Sequence, residues 1–413
     1  MRILANILTL LLFIGAVVLA YVGWPVEGDK FKAGEIHLYP AYYILLVYVF
    51  FVFLSNRMDK RNGRAALIII ALVFIWFLGG KVLGQTLSKM ILFNSMALPA
   101  MYYIFYQSLY GERTRKDVKK ILLFMFLLNS LWAIYERLTM TLWFPVDMIR
   151  SDFSFDRETD SVVFRSSALL GNPLTNALIM AIIMVFILTS KMDMLRKFFL
   201  YFIGLFGLFC FNARASIMIS GGTLGLYMLY ALFRKKSSVS QRLFAFIMLV
   251  VSVVGGIYLL KSGFGGRFEE RGDITEDDST MARIQVWDIF LKGDITDFLW
   301  GMSGDEAEKL AISAMGMIHI ENWYILSSLV VGLVITTIVV LLFIPLFRNV
   351  LRPYDRFTSF LILIVVVGLS STNNSLACGV PALPMFFACC YAFKNVKGRN
   401  RVNKTKECVE INE

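Results

Sequence analysis

Three arginines and one carboxylate sit where an apolar chain has least reason to keep them. Arg214 lies in Phe211-Asn-Ala-Arg-Ala-Ser216, between two apolar runs with almost no loop. A lone cation at a membrane boundary is costly unless it pairs or snorkels. Beyond snorkelling, its guanidinium can grip a phosphate through two parallel N–H bonds. Arg165 precedes another apolar run, in Phe164-Arg-Ser-Ser-Ala-Leu-Leu-Gly-Asn-Pro-Leu174, and Arg283 lies in Arg283-Ile-Gln-Val-Trp287. Taken singly, either would be a surface residue with a carboxylate partner. Three arginines beside apolar runs, all on one side of a membrane, suit a shared anionic ligand better. Glu321 and Asn322 open a further apolar run, in His319-Ile-Glu-Asn-Trp-Tyr324. A helix N-terminus favours a carboxylate. Glu321 therefore reads either as an N-terminal cap or as a general base aimed at a hydroxyl. His319 is the other candidate base.

The elements that carry these residues follow from composition. Of the 413 residues, 58% are hydrophobic and 17% charged. Soluble domains carry about 45–50% apolar and about 25% charged residues. Ile3–Gly23, Ala65–Gly80 and Trp323–Phe347 hold no charged residue, and uncharged runs of about 18 residues read as membrane helices. This excludes a soluble enzyme, a disordered chain and a coiled coil. The fold class expected is an all-α polytopic membrane protein. Its twelve spans are expected near 3–23, 39–55, 65–83, 90–108, 121–138, 175–190, 198–212, 215–233, 243–260, 323–347, 357–371 and 378–393. The chain 1–413 is read as a single membrane domain.

Orientation follows from Lys and Arg, which concentrate in cytoplasmic segments. With the N-terminus inside, the inner segments are Arg2, 56–64, 111–120, 191–197, 234–242, 348–356 and the tail 394–413. They hold well over half of the 41 basic residues, while most of the 30 carboxylates lie elsewhere. Both termini are therefore expected in the cytoplasm. The net charge of +11 comes from these clusters, not from a nucleic-acid surface. Two outer loops are long, 141–174 and 261–321. In the second, Ser279–Leu291 predicts an amphipathic helix with Met281, Ile284, Trp287 and Leu291 on one face. A further helix is expected from Ser303, because Ser303-Gly-Asp-Glu306 has capping-box spacing. Gly263-Phe-Gly-Gly266 reads as a hinge, since neither a preceding strand nor a GK[ST] sequence makes it a phosphate cradle.

Other residues read more plainly. Arg267 and Arg271 stand beside Glu269, Glu270 and Asp273 as a solvated charge cluster. His37 reads as interfacial. The five cysteines form no CxxC pair, so neither a disulfide framework nor a zinc site is indicated. There is no HExxH, and Asp277-Asp278 reads as an acidic helix start. Catalysis is expected to use arginines and a base, with no metal and no cofactor.

Together these segments resemble the O-antigen ligase/polymerase family of polytopic membrane proteins. Arg165 with Gly171-Asn-Pro173 resembles the family's pre-span arginine stretch, and Asn212-Ala-Arg214-Ala-Ser216 its arginine junction. Arg283-Ile-Gln-Val-Trp287 followed by Leu299-Trp-Gly301 is similar to its loop helix. Glu321-Asn322 with Gly332 is similar to its span after the large loop. The resemblance implies transfer of a polyprenyl-diphosphate-linked glycan to an acceptor hydroxyl, on the outer face of a bacterial cytoplasmic (inner) membrane. It implies diphosphate contacts from Arg165, Arg214 and Arg283, and a base at Glu321 or His319. Membrane lipids, a flippase and a chain-length regulator are the implied partners. The ligases of this family place His before the Asn that lies ten residues ahead of the glycine, whereas here Glu321 precedes Asn322. A polymerase of a surface polysaccharide (O-antigen, capsule or exopolysaccharide) is therefore favoured over an O-antigen ligase acting on lipid A-core. A lipid-linked oligosaccharide flippase is the reading from another class. A transporter should show paired repeats or mid-membrane charges. Only Lys81 is a candidate for such a charge, and no repeat is visible.

Overall fold

A computed structural model describes residues 1–14, 40–55, 60–81, 96–143, 164–234, 238–259, 285–315, 320, 322–372 and 381–394. These residues form helices and connecting turns, with no strand among them. In chain order the helices are α1 (Arg2–Leu11), α2 (Pro40–Leu54), α3 (Lys60–Lys81), α4 (Leu98–Ser108) and α5 (Glu112–Thr139). There follow α6 (Pro173–Thr189), α7 (Met194–Cys210), α8 (Arg214–Phe233) and α9 (Val239–Leu259). The loop contributes a 3₁₀ turn (Val286–Asp288), α10 (Ile289–Lys292), α11 (Ile295–Trp300) and α12 (Gly304–Met315). The chain then continues through α13 (Trp323–Val331), α14 (Leu333–Leu351), α15 (Arg356–Thr372) and α16 (Ala382–Ala392).

Every apolar run expected to span coincides, wholly or in part, with one of these helices. Three of them, α5, α8 and α14, are long and apolar enough to cross a membrane. At about 1.5 Å per residue, the 28 residues of α5 exceed the roughly 30 Å hydrocarbon core. A helix that is apolar all round belongs in a core or a membrane. α6 is such a helix, buried from Thr175 to Leu188. It forms the central pillar, packed by α7, α8, α15 and α16. At the periphery, α2 and α9 leave Phe50, Phe51, Phe53, Phe246, Val250 and Val254 exposed. Soluble monomers rarely expose so much contiguous apolar surface, and a lipid-facing exterior accounts for it. The chain is a helical membrane protein.

Two ends of the bundle differ in chemistry. At one, Arg2 pairs with Asp117, and Arg115 Nη1 donates to the Lys394 carbonyl at 2.9 Å. The start of α1, the start of α5 and the end of α16 therefore share this basic end. At the other end lie the close of α5, the 164–172 segment and the α7–α8 junction.

The run Trp323–Phe347, expected as one helix, is two. Gly332 has φ +97° and ψ 142°, a conformation outside the helix and strained for a residue bearing Cβ. Its amide bonds back to the Ser328 carbonyl at 3.1 Å, and the chain then turns into α14. An apolar run does not reveal such a break, because only backbone geometry demands it. α14 and α15 both leave the Arg352–Asp355 turn. Leu333 and Ser371 lie about 28 and 24 Å along their helices from it. α13, about 14 Å long, bridges two helix ends at similar height instead of extending α14.

The loop helices also correct an expectation. Trp287 and Leu291, placed on the buried face by periodicity, are 55% and 84% exposed, while Val286 and Ile289 are buried. The segment starts as a 3₁₀ turn, whose three-residue repeat aligns i with i+3. Met281 and Ile284 lie outside the described residues, as do His37 and the Gly263–Gly266 hinge. The capping box at Ser303 forms as expected. Ser303 N donates to Glu306 Oε2 at 2.9 Å, and Glu306 N donates to Ser303 Oγ at 3.3 Å.

Candidate functional site

The site is built on a buried carboxylate at the close of α5. Glu136 is fully buried and accepts four N–H groups. Ser167 N and Ala168 N donate to its Oε2 at 2.9 Å each. Trp143 N and Trp132 Nε1 donate to its Oε1 at 3.3 Å each. Buried charge is tolerated only when so satisfied. One turn and two turns earlier on the helix, further acceptors hold the same segment. Ser166 Oγ donates to the Ala133 carbonyl at 2.7 Å, and Leu169 N donates to Asn129 Oδ1 at 3.1 Å. The segment from Phe164 to Gly171 is thus laced along α5. Within it Ala168 is held at φ 40°, a left-handed conformation that costs a Cβ-bearing residue roughly 1–2 kcal/mol. The Glu136 contact fixes that strained amide in place. The segment then enters α6 through Asn172, whose Oδ1 accepts from Leu174 N at 2.9 Å and Thr175 N at 3.2 Å. Pro173 occupies the first helical position, where no N–H is needed.

This lacing carries Arg165 to the α7–α8 junction. Arg165 Nε donates to the Phe211 carbonyl at 3.2 Å, and Ser166 N donates to the Cys210 carbonyl at 3.1 Å. Asn212, at φ 50°, turns the chain from α7 into α8, and Arg214 is the first residue of α8. Both arginines are half-buried. The Arg165 side chain and the residue Arg214 therefore meet at one junction. A helix N-terminus adds its own attraction for anions there.

A third segment arrives through α15. α8 and α15 run antiparallel in a one-to-one register. Gly368 faces Ile219, whose Cδ1 would lie 3.1 Å from a Cβ at the glycine. Eleven residues along both helices, the rings of Tyr230 and Phe357 stack at 3.9 Å. The same register sets Ser371 level with Ser216, near the start of α8. Asn322 Nδ2 donates to the Ser371 carbonyl at 3.2 Å. Its Oδ1 caps α13 by accepting from Ile325 N at 3.1 Å. The cap of α13 is thus Asn322, and the helix begins at Trp323, two residues later than Glu321.

The fourth segment docks on α13 and α14. Gly301 has φ +89° and lies against Gly332, and Met302 N donates to the Leu329 carbonyl at 2.8 Å. The loop helix α11 is seated by this contact over the turn at Gly332.

Of the residues singled out from sequence, Arg165 and Arg214 come together at the junction, and Asn322 bonds to Ser371 on α15, the helix packed against α8. Arg283, His319 and Glu321 lie outside the described residues. Sequence reading passed over Glu136 and Asn129. Their signal was present: polar residues inside the apolar run that forms α5, with Glu136 and Arg137 adjacent. A charge pair at the end of a membrane helix points to a buried contact. No protein-family model matches this chain, and a comparison with curated proteins returns no match.

Proposed function

We propose that this chain is a metal-independent glycosyltransferase of a bacterial cytoplasmic membrane, of the O-antigen ligase/polymerase type, with about twelve spans and both termini cytoplasmic. Its reaction is polymerisation of a surface polysaccharide. The donor glycan is linked through a diphosphate to a polyprenol, and the acceptor is a hydroxyl of another lipid-linked repeat unit. That hydroxyl attacks the anomeric carbon, the bond from that carbon to the diphosphate oxygen breaks, and polyprenyl diphosphate leaves. The hydroxyl proton passes to Glu321. Charge grows on the leaving diphosphate as the bond breaks, so cations fixed at that point stabilise the transition state more than the ground state. Arg214, Arg165 and Arg283 fill that role, and the loop closed on Gly332 excludes water.

One observation carries this reading above the others. Arg165 bonds to the Phe211 carbonyl just before Arg214, and Asn322, from a distant part of the chain, bonds to Ser371 on α15, which packs against the helix that Arg214 begins. Two half-buried arginines at one helix start suit a shared anion. The test is the glycan length profile of cells in which only this protein is altered. Loss of the chain should leave single repeat units transferred to their final acceptor. Long chains that accumulate unattached would indicate a ligase instead.

A further inference from the structure

The basic end of the bundle holds a lysine that the proposed reaction does not use. Lys197, in the first turn of α7, is 4% exposed. Its ammonium donates to Tyr227 Oη at 3.1 Å and lies 5.2 Å from the centre of that ring. No carboxylate among the described residues pairs with it. Instead the charge of Lys119 bears on Lys197, and the charges of Arg196 and Arg115 bear on Lys119. Lys119 is itself half-buried, its ammonium 4.8 Å from the centre of the Phe393 ring.

The carboxylates described at this end are committed elsewhere. Glu112 pairs with Lys116 at 3.0 Å, and Asp117 pairs with Arg2. Asp193 caps α7, accepting from Arg196 N at 3.4 Å. Asp355 caps α15, accepting from Thr358 N at 3.0 Å and Thr358 Oγ1 at 2.7 Å. A buried ammonium costs several kcal/mol without a counter-charge. The charge that bears on it is that of Lys119, a like charge, and each described carboxylate at this end has another task.

We propose that Lys119, Arg196 and Lys197, with the Tyr227 hydroxyl, form a site for a phosphate oxyanion between α5, α7 and α8. Its source is the headgroup of an anionic phospholipid in the adjoining leaflet. The position fits that source: the site lies at the foot of helices whose outer faces are apolar, where a headgroup phosphate sits in a bilayer. Basic pockets between membrane helices bind such headgroups by this chemistry. The inference does not depend on the glycosyltransferase reading, because the site is at the opposite end of the bundle.

The test uses the full chain in nanodiscs, with thermal unfolding as the readout. The arms are zwitterionic lipid alone, zwitterionic lipid with phosphatidylglycerol, and zwitterionic lipid with inorganic phosphate. Phosphatidylglycerol should raise the midpoint of the wild type by several degrees, and Lys197→Met should lose that rise. Arg196→Gln, an exposed position that cannot disturb packing, should require about tenfold more phosphatidylglycerol for the same shift. An equal rise with inorganic phosphate supports the oxyanion site and assigns it to free phosphate. Two outcomes overturn the site: no rise with either anion, or an equal phosphatidylglycerol rise in wild type, Lys197→Met and Arg196→Gln.

Discussion

Gly301 and Gly332 meet backbone to backbone. A Cβ on Gly301 would lie 2.8 Å from the Gly332 amide nitrogen, and one on Gly332 would lie 2.8 Å from the Leu299 carbonyl oxygen. Both glycines also have positive φ, so neither can accept a side chain without moving the other strand of the contact. This joint fixes the large loop to the turn between α13 and α14.

Gly301→Ala and Gly332→Ala should therefore each cost about 1–3 kcal/mol, from strain and from the displaced backbone. Both should also lose most elongation, because the loop no longer seats. Gly221→Ala supplies the control. That glycine lies within α8 and a Cβ there meets nothing within 4 Å, so the change should be neutral or stabilise by about 0.5–1 kcal/mol. Thermal midpoints in detergent separate these cases. Equal effects at all three positions would contradict the joint.

Glu136 and Ala168 make a second pair of opposed predictions. Glu136→Ala leaves four N–H groups without this acceptor, and those of Ser167 and Ala168 are buried. Each orphaned donor costs roughly 1–3 kcal/mol, so the variant should be severely destabilised. Ala168→Gly relieves a left-handed backbone at φ 40° and should stabilise by up to about 1 kcal/mol. A Glu136→Ala protein that unfolds like the wild type would remove Glu136 from its scaffolding role.

Acid should loosen the loop before it loosens the bundle. The Ser303 hydroxyl, and then the Ser303 N–H, hold the Glu306 carboxyl below its usual range. A carboxyl lowered in the folded state stabilises it above the unfolded value of about 4.3. That contribution fades as pH falls through the lowered folded value. Protection of the α12 amides, the ratio of intrinsic to observed hydrogen exchange at each pH, should therefore fall at acid pH in the wild type. In Glu306→Gln that fall should be much reduced, and identical pH profiles of protection would contradict the capping box as its cause.

The sequence made the helices legible because an apolar run and a break in charge are the same thing that packing responds to. It made Ser303 legible as a helix start because capping is local chemistry. The division of Trp323–Phe347 at Gly332 was hidden, since a glycine in an apolar run looks like any tolerated helix glycine until its φ is known. The buried face of the loop helix was misread because a 3₁₀ turn has another period than an α-helix. Arg165 and Arg214 were visible as isolated charges. What joins them, the Glu136 lacing of the 164–171 segment, is tertiary, and only the folded chain discloses it.

The arginine junction makes a prediction about charge geometry. Arg214→Ala and Arg165→Ala should each slow elongation about 10–150-fold, the worth of a charge-assisted contact made in the transition state. Arg214→Lys should recover little of this, because an ammonium is a point charge and cannot offer two parallel N–H groups. Elongation at saturating donor measures it. Full activity in Arg214→Lys would reduce the clamp to a general need for positive charge.

The most direct measurement reconstitutes the purified chain in vesicles with one polyprenyl-diphosphate-linked repeat unit and follows two products together. Glycans of increasing length should appear, with one polyprenyl diphosphate released for each bond made. Glu321→Gln should lower both about 10²–10⁴-fold, as loss of a general base does, while His319→Asn has a milder effect. If the wild type neither lengthens the glycan nor releases polyprenyl diphosphate, the transferase reading is contradicted. If it does both while Glu321→Gln works normally and His319→Asn is dead, the base is His319 and the ligase reading gains.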